Sequence, residues 1–400
     1  MRRAGNLWPQ VISFENLLGA AEEAARGKRK RPDVACFLLN LEGELVRLRE
    51  ELASGQYQPG AYRTFVVREP KPRIISAAPF RDRVVHHCLT RVLEPIFERR
   101  FAHQSFACRK GKGTHRALAV AAEGCRRHPY VLKCDVRKYF ASIDHAILKE
   151  GLARVVKCPR TLALAARIIN GSNAQEEANA YFPGDDLFTP SRRRRGLPLG
   201  NQTSQFFANV YLNRVDQFVL RELRPGLYAR YVDDFLLFGN EKRALAEMRA
   251  RLENFLCAQR LRLHPGKSRV YRTRDGVTFL GWRVFPDRVR LVRSNVVRWR
   301  RRMRAMRAAC ADGKISLPEV SQRVQAWVAH AEHGHTRSLR RQLFARYIFN
   351  RTEQGRIRSA GRVLEQQSQE RPRLEPQQQQ SREQEQQQRA SLRRVGGAVP

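Results

Sequence analysis

The chain has 400 residues, with 76 Lys or Arg against 38 Asp or Glu, so its formal net charge is +38 at an ordinary hydrophobic content of 42%. The length favours two or three domains around a sizeable core, and the composition excludes an acidic disordered chain and a small secreted scaffold. A protein this basic repels itself unless a polyanion neutralises it. Nucleic acid is therefore the first partner to expect, and an anionic membrane surface the second.

The sequence predicts neither a membrane span nor a disulfide framework. It holds no run of 18 apolar residues, and Met1-Arg-Arg-Ala-Gly5 is not followed by the apolar core of a signal peptide. The eight cysteines lie far apart with no Cys-x-x-Cys pair, which favours small buried hydrophobes over a zinc ribbon or disulfide scaffold. We therefore expect a protein of a reducing, cytoplasmic compartment with no membrane partner.

The N-terminal region predicts helices followed by a hairpin. Apolar residues at helical spacing over residues 13–54, with Ser13 as an N-cap, predict two helices separated by a basic loop that stops at Pro32. Alternating residues over 62–67 and 74–76 predict the two strands of a hairpin. The other predicted elements up to residue 290 are helices over 81–125 broken at 109–113, a buried strand at Tyr130–Val136, a helix over 144–156, an aperiodic loop or insertion over 171–195, a helix over 202–223, two apolar strand runs within Leu227–Phe238, and a strand at Val277–Trp282 that ends in a glycine turn.

The C-terminal part predicts an arginine-rich helix, a second helical unit over residues 318–350 and a disordered tail. The helix has an apolar stripe at a spacing of three and four residues: Val296, Trp299, Met303, Met306 and Cys310. Arginines cover its other faces. Beyond about residue 356 the sequence is mostly Gln, Glu, Ser, Arg and Pro, which is a composition typical of disorder.

Three aspartates interrupt predicted apolar strands, where burying a carboxylate is costly unless a cation neutralises it. Asp135 ends the run that starts at Tyr130, and Asp233 and Asp234 divide the run Tyr231–Phe238. Phosphoryl transfer to a 3′ hydroxyl uses two divalent cations about 3.5–4 Å apart, and hard cations prefer carboxylate oxygens. An Asp-Asp pair alone is equally well an ordinary polar hairpin turn. Together with Asp135 it favours a metal site, because three clustered carboxylates repel one another without a cation.

Seven segments in the expected order resemble those of reverse transcriptases and cover residues 60–285. Tyr231-Val-Asp-Asp234 resembles their Y-x-D-D box, and Asp135–Asp144 resembles their first palm motif. The other segments that are similar to family motifs are Lys71-Pro-Arg73 with Arg81-Asp-Arg83, Ser105–His115, Gly196–Gln205, Leu263-His-Pro-Gly-Lys267 and Phe279-Leu-Gly-Trp282. The chain to about residue 350 resembles the bacterial, archaeal or phage-encoded enzymes of the group II intron and diversity-generating retroelement branch.

This resemblance implies an α+β right-hand polymerase with fingers, a palm made of an antiparallel sheet plus helices, and a helical thumb. The implied domains are an N-terminal helical extension at 1–58, fingers at 59–129, a palm at 130–290 with an insertion at about 171–195, a thumb at 291–355, and a disordered Gln-rich tail at 356–400. The implied partners are template RNA, a primer or cDNA, and deoxynucleoside triphosphates, with two Mg²⁺ ions as cofactors for which Mn²⁺ substitutes.

The resemblance also implies site residues. Asp135, Asp233 and Asp234, with Val136, hold the metals, and Lys267 matches a lysine that protonates the pyrophosphate leaving group. The residues implied to contact the nucleotide are Lys71, Arg73, Phe140, Leu199, Gly200 and Gln205. The alternatives are a solvated basic turn for Lys71 and Arg73, and a plain core residue for Phe140, which otherwise excludes the 2′ hydroxyl by a clash.

The residues expected to contact nucleic acid lie late in the chain. They are Arg298, Arg300, Arg301, Arg304, Arg307, Gly281 and Trp282. His330, His333 and His335 lack cysteine partners and a second cluster at zinc-site spacing, so we do not expect a zinc site there.

The assignment to a subfamily of reverse transcriptases rests on a few residues. Leu199 stands where most relatives carry a Gln that touches the incoming nucleotide, and Leu199-Gly-Asn-Gln-Thr-Ser-Gln205 resembles the diversity-generating retroelement form. This implies errors opposite template adenines, and a small basic accessory protein as a partner. The alternatives are a related enzyme of an antiviral defence, retron or group II-like system, and a non-catalytic RNA-binding scaffold, which the intact aspartates argue against.

Overall fold

A computed structural model of the chain describes residues 2–68, 72–172 and 180–349. Part of the predicted hairpin turn, including Lys71, part of the predicted insertion and the whole Gln-rich tail lie outside these residues. The chain divides into two compact units, residues 1–289 and 290–400. No helix among the described residues is long and apolar enough to cross a membrane.

Helices are the most abundant regular structure described in the first unit. The helices described there are α1 Trp8–Val11, α2 Phe14–Ala25, α3 Pro32–Leu39, α4 Leu41–Ser54, α5 Phe80–Glu98, α6 Thr114–Arg127, α7 Tyr139–Ser142, α8 His145–Ala153, α9 Pro159–Asn170, α10 Thr189–Arg192, α11 Gln202–Phe218 and α12 Lys242–Ala258. A π-helical turn, Val219–Leu223, extends α11, and a 3₁₀ turn lies at Thr273–Asp275. The second unit contains α13 Arg293–Ala311, α14 Leu317–Ala331 and α15 Arg337–Arg346.

A four-stranded antiparallel sheet organises the first unit. The strands described in the chain are β1 Arg63–Val67, β2 Arg73–Ala77, β3 Tyr130–Asp135, β4 Leu227–Tyr231, β5 Asp234–Gly239, β6 Arg269–Arg272, β7 Val277–Phe279, β8 Trp282–Val284 and β9 Val289–Leu291. The order in the four-stranded sheet is β4-β5-β3-β6, so β5 and β3 are central. Their near-continuous apolar runs are buried, as expected for strands covered by helices, and α6 and α12 pack on them.

One glycine allows a close approach between α6 and this sheet. A Cβ atom at Gly124 would lie 2.6 Å from the ring of Phe238 on β5. Any larger residue on that turn of α6 would push the helix away from the central strands.

The predicted hairpin is present. β1 and β2 pair antiparallel, with Phe65 opposite Ile75, and all five residues of β1 are exposed. The first residue of β2 is Arg73, so this arginine stands at the hairpin end.

The second unit contains the arginine-rich helix α13. Its stripe residues Trp299, Met303, Met306 and Cys310 are buried and form one cluster with Val320, Val324 and Leu343 of α14 and α15. The Trp299 and Trp327 rings stack with centroids 4.7 Å apart. We call the residues Arg298, Arg300, Arg301, Arg304 and Arg307 the arginine face. Arg298 and Arg300 are half-buried and the other three are exposed.

Several predicted elements need correction. Residues 13–54 form three helices and not the two predicted: the basic loop ends at Pro32 as expected, but Pro32 begins the separate short helix α3, because proline suits the first helical turn, where its missing N–H is not needed. Helices α9 and α12 were not predicted. The strand predicted at Val277–Trp282 is a hairpin, with Leu280 and Gly281 in left-handed conformations between β7 and β8.

The cysteines are all free, and their burial is less uniform than predicted. Five of them are buried, and Cys257 is partly buried. Cys36 and Cys108 are exposed, so the prediction of eight buried cysteines is wrong for these two.

Candidate active site

The antiparallel register brings three carboxylates to one end of the central strands. Asp135, the last residue of β3, is the register partner of Asp234, the first residue of β5. The backbone N–H of Val136 donates to the carbonyl of Asp233 at 3.3 Å, which continues the pairing beyond the strand end. We call Asp135, Asp233 and Asp234 the carboxylate edge.

Burial and mutual repulsion raise the pKa of two of these carboxyls. Burial is the largest cause for Asp233, followed by the charges of Asp234 and Asp135, and together they raise its pKa to about 6. Burial also raises the pKa of Asp234, although the nearby ammonium of Lys133 opposes the shift. Ionising all three groups in this environment therefore calls for additional positive charge.

Two lysines supply part of that charge. Lys267 Nζ lies 3.2 and 3.3 Å from the two carboxylate oxygens of Asp135. Lys133 Nζ lies 3.8 Å from Asp234 Oδ1 and donates to the carbonyl of Thr278 at 2.9 Å. Asp234 Oδ1 is buried, and among the described residues no donor lies within 3.5 Å of it. A buried carboxylate oxygen without a donor is costly, and a bound cation removes that cost.

The donor chemistry fits hard divalent cations. The carboxylate edge offers only oxygen ligands, which Mg²⁺ and Mn²⁺ prefer. Among the described residues, no three His, Cys, Asp or Glu side chains are already gathered around one metal position. Binding would therefore require the aspartates to reorient and Lys267 to release Asp135, with backbone carbonyls, water or substrate oxygens completing the shell.

A cavity of about 480 Å³ opens beside the carboxylate edge, within the usual size range for small-molecule sites. Asp135, Asp233 and Val136 line it together with Lys267. The predicted nucleotide contacts that also line this cavity are Arg73, Phe140 and Leu199. The cavity thus combines acidic, basic and apolar groups, which is the chemistry that a nucleoside triphosphate with its metal ions requires.

The Leu199 wall of the cavity is fixed to the hairpin by backbone hydrogen bonds. The carbonyl of Leu199 accepts from Ser76 N at 3.1 Å, and the Asn201 side chain donates to the carbonyl of Ser76 at 3.0 Å. Gly200 has a φ of +110°, and a Cβ there would lie 2.8 Å from the side chain of Ile75, so only glycine fits.

The Phe140 wall is connected to the same loop. The carbonyl of Phe140 accepts from Leu197 N at 2.9 Å. Phe140 is half-buried, with its ring centroid 5.4 Å from that of Tyr139. Hydrogen bonds therefore hold the loop containing Gly200 between the hairpin and the helix that carries Phe140.

Several predicted site residues are not among those that line this cavity; Asp234 and Gly200 are adjacent in sequence to lining residues. Lys71 lies outside the described residues. Gln205 is exposed on α11 and is not among the residues lining the cavity. Trp282 is fully buried on β8, which packs on α6, so its predicted contact with nucleic acid is wrong and the indole is a core group. The neighbouring Gly281 is half-buried, with a φ of +83°.

Sequence reasoning missed two buried polar groups beneath the site. Arg230 and Asp216 are fully buried and form a two-bond ion pair with distances of 2.6 Å. An arginine within the apolar run of β4 is the signal that could have indicated Arg230. Asp216 lies 14 residues earlier, on α11, and nothing local connects the two.

The family model for reverse transcriptases (RNA-dependent DNA polymerases) matches residues 67–284, more than half of the chain. The chain belongs to the reverse transcriptase family. It is an RNA-directed DNA polymerase of the nucleotidyltransferase class.

Curated relatives are distant and differ in how much of their length is matched. The Escherichia coli protein YkfC is 27% identical over 64% of this chain and 74% of its own length. The group II intron-encoded protein LtrA of Lactococcus lactis is 22% identical over 45% of this chain and 29% of its own length. Nuclear intron maturase 1 of Arabidopsis thaliana is 33% identical over 21% of this chain and 12% of its own length.

Proposed function

We propose that this reverse transcriptase extends a primer on an RNA template by two-metal nucleotidyl transfer at the carboxylate edge. One observation supports this most directly: Asp135 and Asp233 line the same cavity as Arg73, Phe140 and Lys267. The raised pKa of Asp233 and the unsatisfied oxygen of Asp234 agree with a site that gains stability when divalent cations bind.

The side chains then have separate roles. Asp135 and Asp233, with the carbonyl of Val136, would hold two Mg²⁺ ions, and Asp234 would complete the negative cluster. The bound ions supply activation of the primer 3′ hydroxyl and neutralise charge on the phosphates. Arg73, together with Lys71, binds the triphosphate. Lys267, on the cavity wall, donates a proton to the leaving pyrophosphate.

The same proposal assigns the remaining parts of the chain. Residues 59–129 act as fingers, 130–290 as a palm built on the β4-β5-β3-β6 sheet, and 291–355 as a thumb whose arginine face binds the duplex backbone. The mostly exposed arginines present their charge to solvent, where backbone phosphates can reach it.

Primer extension on defined templates tests this function. The wild-type protein should extend a DNA primer on RNA only when Mg²⁺ or Mn²⁺ is present. Asp233→Asn and Asp135→Asn should each abolish extension, while circular dichroism and primer–template affinity stay unchanged. Asp287→Asn is the control, because this side chain is 64% exposed and pairs only with Arg288 among the contacts described. Full activity in either carboxylate variant would reject the catalytic assignment.

For the biological setting we propose a diversity-generating retroelement, with a small basic accessory protein as a partner. Leu199 on the cavity wall supports this, because an aliphatic side chain offers shape but no hydrogen bond to the incoming nucleotide. Discrimination between nucleotides then lacks a contribution on the order of 1 kcal/mol, or several-fold in error rate. Errors should concentrate at template adenines.

The fidelity test compares cDNA that the wild type and Leu199→Gln copy from one RNA template. The variant should make several-fold fewer errors opposite adenine, with a modest change in overall rate. Leu197→Gln is unsuitable as a control because Leu197 is buried, so Leu187→Gln, at a leucine that is 73% exposed, serves instead. Equal adenine error frequencies in all three proteins would remove the support for this setting.

A group II intron-like role is the second candidate, and the similarity to LtrA and to an intron maturase favours it. The flanking DNA distinguishes the two candidates. A pair of nearly identical repeats that differ at adenines supports the retroelement, whereas a surrounding group II intron RNA supports the intron role.

A further inference from the structure

The Asp233 turn is built on an unfavourable backbone conformation. Val232, between Tyr231 and Asp233, has a φ of +54°. This left-handed conformation is rare for any residue except glycine and is a genuine outlier for a β-branched one. Such a conformation persists only where surrounding contacts hold it, and it frequently occurs at functional sites.

One buried guanidinium holds this turn from below. Arg230 Nη1 donates to the carbonyl of Val232 at 3.0 Å and to Asn209 Oδ1 at 3.2 Å. Its Nε and Nη2 atoms each donate to a carboxylate oxygen of Asp216 at 2.6 Å. The planar guanidinium therefore connects the strained turn to α11 in one rigid arrangement.

Further hydrogen bonds hold Arg230 and its two side-chain partners, Asp216 and Asn209, in place. Arg230 and Asp216 have no exposed surface, and the Tyr228 hydroxyl donates to Asp216 at 2.7 Å. The backbone of Arg230 accepts from Phe106 N and donates to the carbonyl of Gln104, both at 2.9 Å. Asn209 in turn donates to the carbonyl of Ala107 at 2.9 Å.

A buried ion pair is a poor device for stability alone. Removing two charges from water costs much of what their attraction returns, and apolar replacements of equal volume are often neutral or stabilising. The Arg193 side chain is also buried in ion pairs, with Asp185 and with Asp144 at 3.6 Å. However, none of its hydrogen bonds among the described residues reaches Val232 or the carboxylate edge. The feature specific to Arg230 is its hydrogen bond to the residue that precedes Asp233.

We propose that Arg230 is a positioning residue for metal binding and catalysis, which acts by holding Val232 in its left-handed conformation and so directing Asp233 toward the cavity. This inference rests on the proposed function, because it assigns a task to a residue that does not touch substrate or metal. Asp216 and Asn209 orient the guanidinium, and Val232 transmits its position to the aspartate.

The test uses Arg230→Lys, which keeps the charge but has a single nitrogen that cannot reach all the partners of the guanidinium. Electron paramagnetic resonance measures Mn²⁺ binding, and single-nucleotide extension measures kcat and KM, both per enzyme molecule that binds primer–template. We expect Mn²⁺ affinity to fall at least threefold and kcat at least tenfold, with primer–template Kd within twofold of wild type. Arg193→Lys is the matched control and should leave both Mn²⁺ affinity and kcat within twofold.

A second variant separates positioning from a general loss of structure. Asparagine adopts the left-handed conformation far more readily than valine. Adding Val232→Asn to Arg230→Lys should therefore recover at least threefold in Mn²⁺ affinity, and a purely structural defect would give no recovery. The proposal is overturned if Arg230→Lys matches wild type, if Arg193→Lys has the same effect, or if the second substitution recovers nothing. If the wild type extends no primer, the proposed function fails, and the Mn²⁺ titration still decides the role of Arg230.

Discussion

The carboxylate edge and the arginine face are both dense charge clusters of the described residues, but they differ in their exposure to solvent. Asp233 and Asp234 lie at the ends of buried strands, with raised pKa values. The arginine face lies mostly in solvent on α13, above an apolar stripe that packs into the second unit.

This difference indicates what each cluster can do. Buried charges are held in place by their surroundings, so a small displacement changes the chemistry at the site. Exposed charges move freely and are screened by salt. Each of them therefore adds a small, salt-dependent contribution to the affinity for nucleic acid. A single substitution at the carboxylate edge should therefore abolish activity. Substitutions on the arginine face should lower the affinity for primer–template in proportion to the charge removed.

The largest expected contrast is at Asp233, where loss of activity should accompany a gain in stability. The folded-state pKa of about 6 lies above the ordinary value of 3.8, so the metal-free folded protein binds this proton more tightly than the unfolded chain does. The cost of the buried charge is therefore absent below about pH 4, builds up as pH rises from about 4 to 6, and is complete once the pH is above about 6. We expect Asp233→Asn to raise the free energy of unfolding at pH 7.5 by on the order of 2 kcal/mol.

Urea denaturation in EDTA at pH 7.5 and pH 4.5 measures this effect. The gain should be complete at the higher pH, clearly smaller at the lower one, where the folded carboxyl stays protonated, and missing from the exposed control Asp287→Asn at both. A destabilised Asp233→Asn protein at pH 7.5 would show that the carboxylate is well satisfied without a cation.

The arginine face should give a smaller, graded effect. Replacing Arg300, Arg301 and Arg304 with Gln should lower the slope of log affinity against log salt by about 2 to 3, because each phosphate contact on duplex contributes roughly 0.9. At 0.15 M salt this corresponds to a loss of roughly 100-fold in primer–template affinity. Fluorescence anisotropy across a salt series measures both quantities.

A control with the same change in charge is available in the first unit. Replacing Arg221, Arg243 and Arg251, which are also exposed, removes three charges without touching α13. An equal loss of slope in this control would mean that affinity follows net charge alone. The arginine face would then not be a specific contact surface for the duplex.

The smallest effect is expected at Phe140, which shares the cavity with the carboxylate edge but carries no charge. Phe140→Ala should change selectivity, because the ring that rejects the 2′ hydroxyl is removed. We expect the ratio of kcat/KM for ribonucleotides to that for deoxyribonucleotides to rise about tenfold, as for one lost packing contact.

Steady-state kinetics with both nucleotide types measures that ratio. Phe285→Ala is the matched control, since this ring is also half-buried but packs between Arg283 and Arg288 away from the cavity. If Phe140→Ala leaves the ratio unchanged, Phe140 is a core residue only.

The sequence was informative where a signal is local. Aspartates that interrupt apolar strands predicted the β3 and β4–β5 ends, because burying charge in such runs is costly without a purpose. Arg230 also interrupts an apolar strand, but its task could not be predicted, since its partner Asp216 is on α11 and meets it only in the folded chain. Trp282 was assigned a contact with nucleic acid by resemblance. Its burial results from the packing of β8 on α6, and a short sequence motif does not indicate such packing.

The most direct measurement of the central claim is an anomalous-scattering map from crystals grown with Mn²⁺, primer–template and an incoming deoxynucleoside triphosphate. Our account predicts two Mn²⁺ peaks about 3.5–4 Å apart, both contacting the carboxylates of Asp135 and Asp233, with the triphosphate against Arg73 and Lys267 displaced from Asp135. Mn²⁺ bound elsewhere, with Lys267 still paired to Asp135 beside a bound nucleotide, would contradict it.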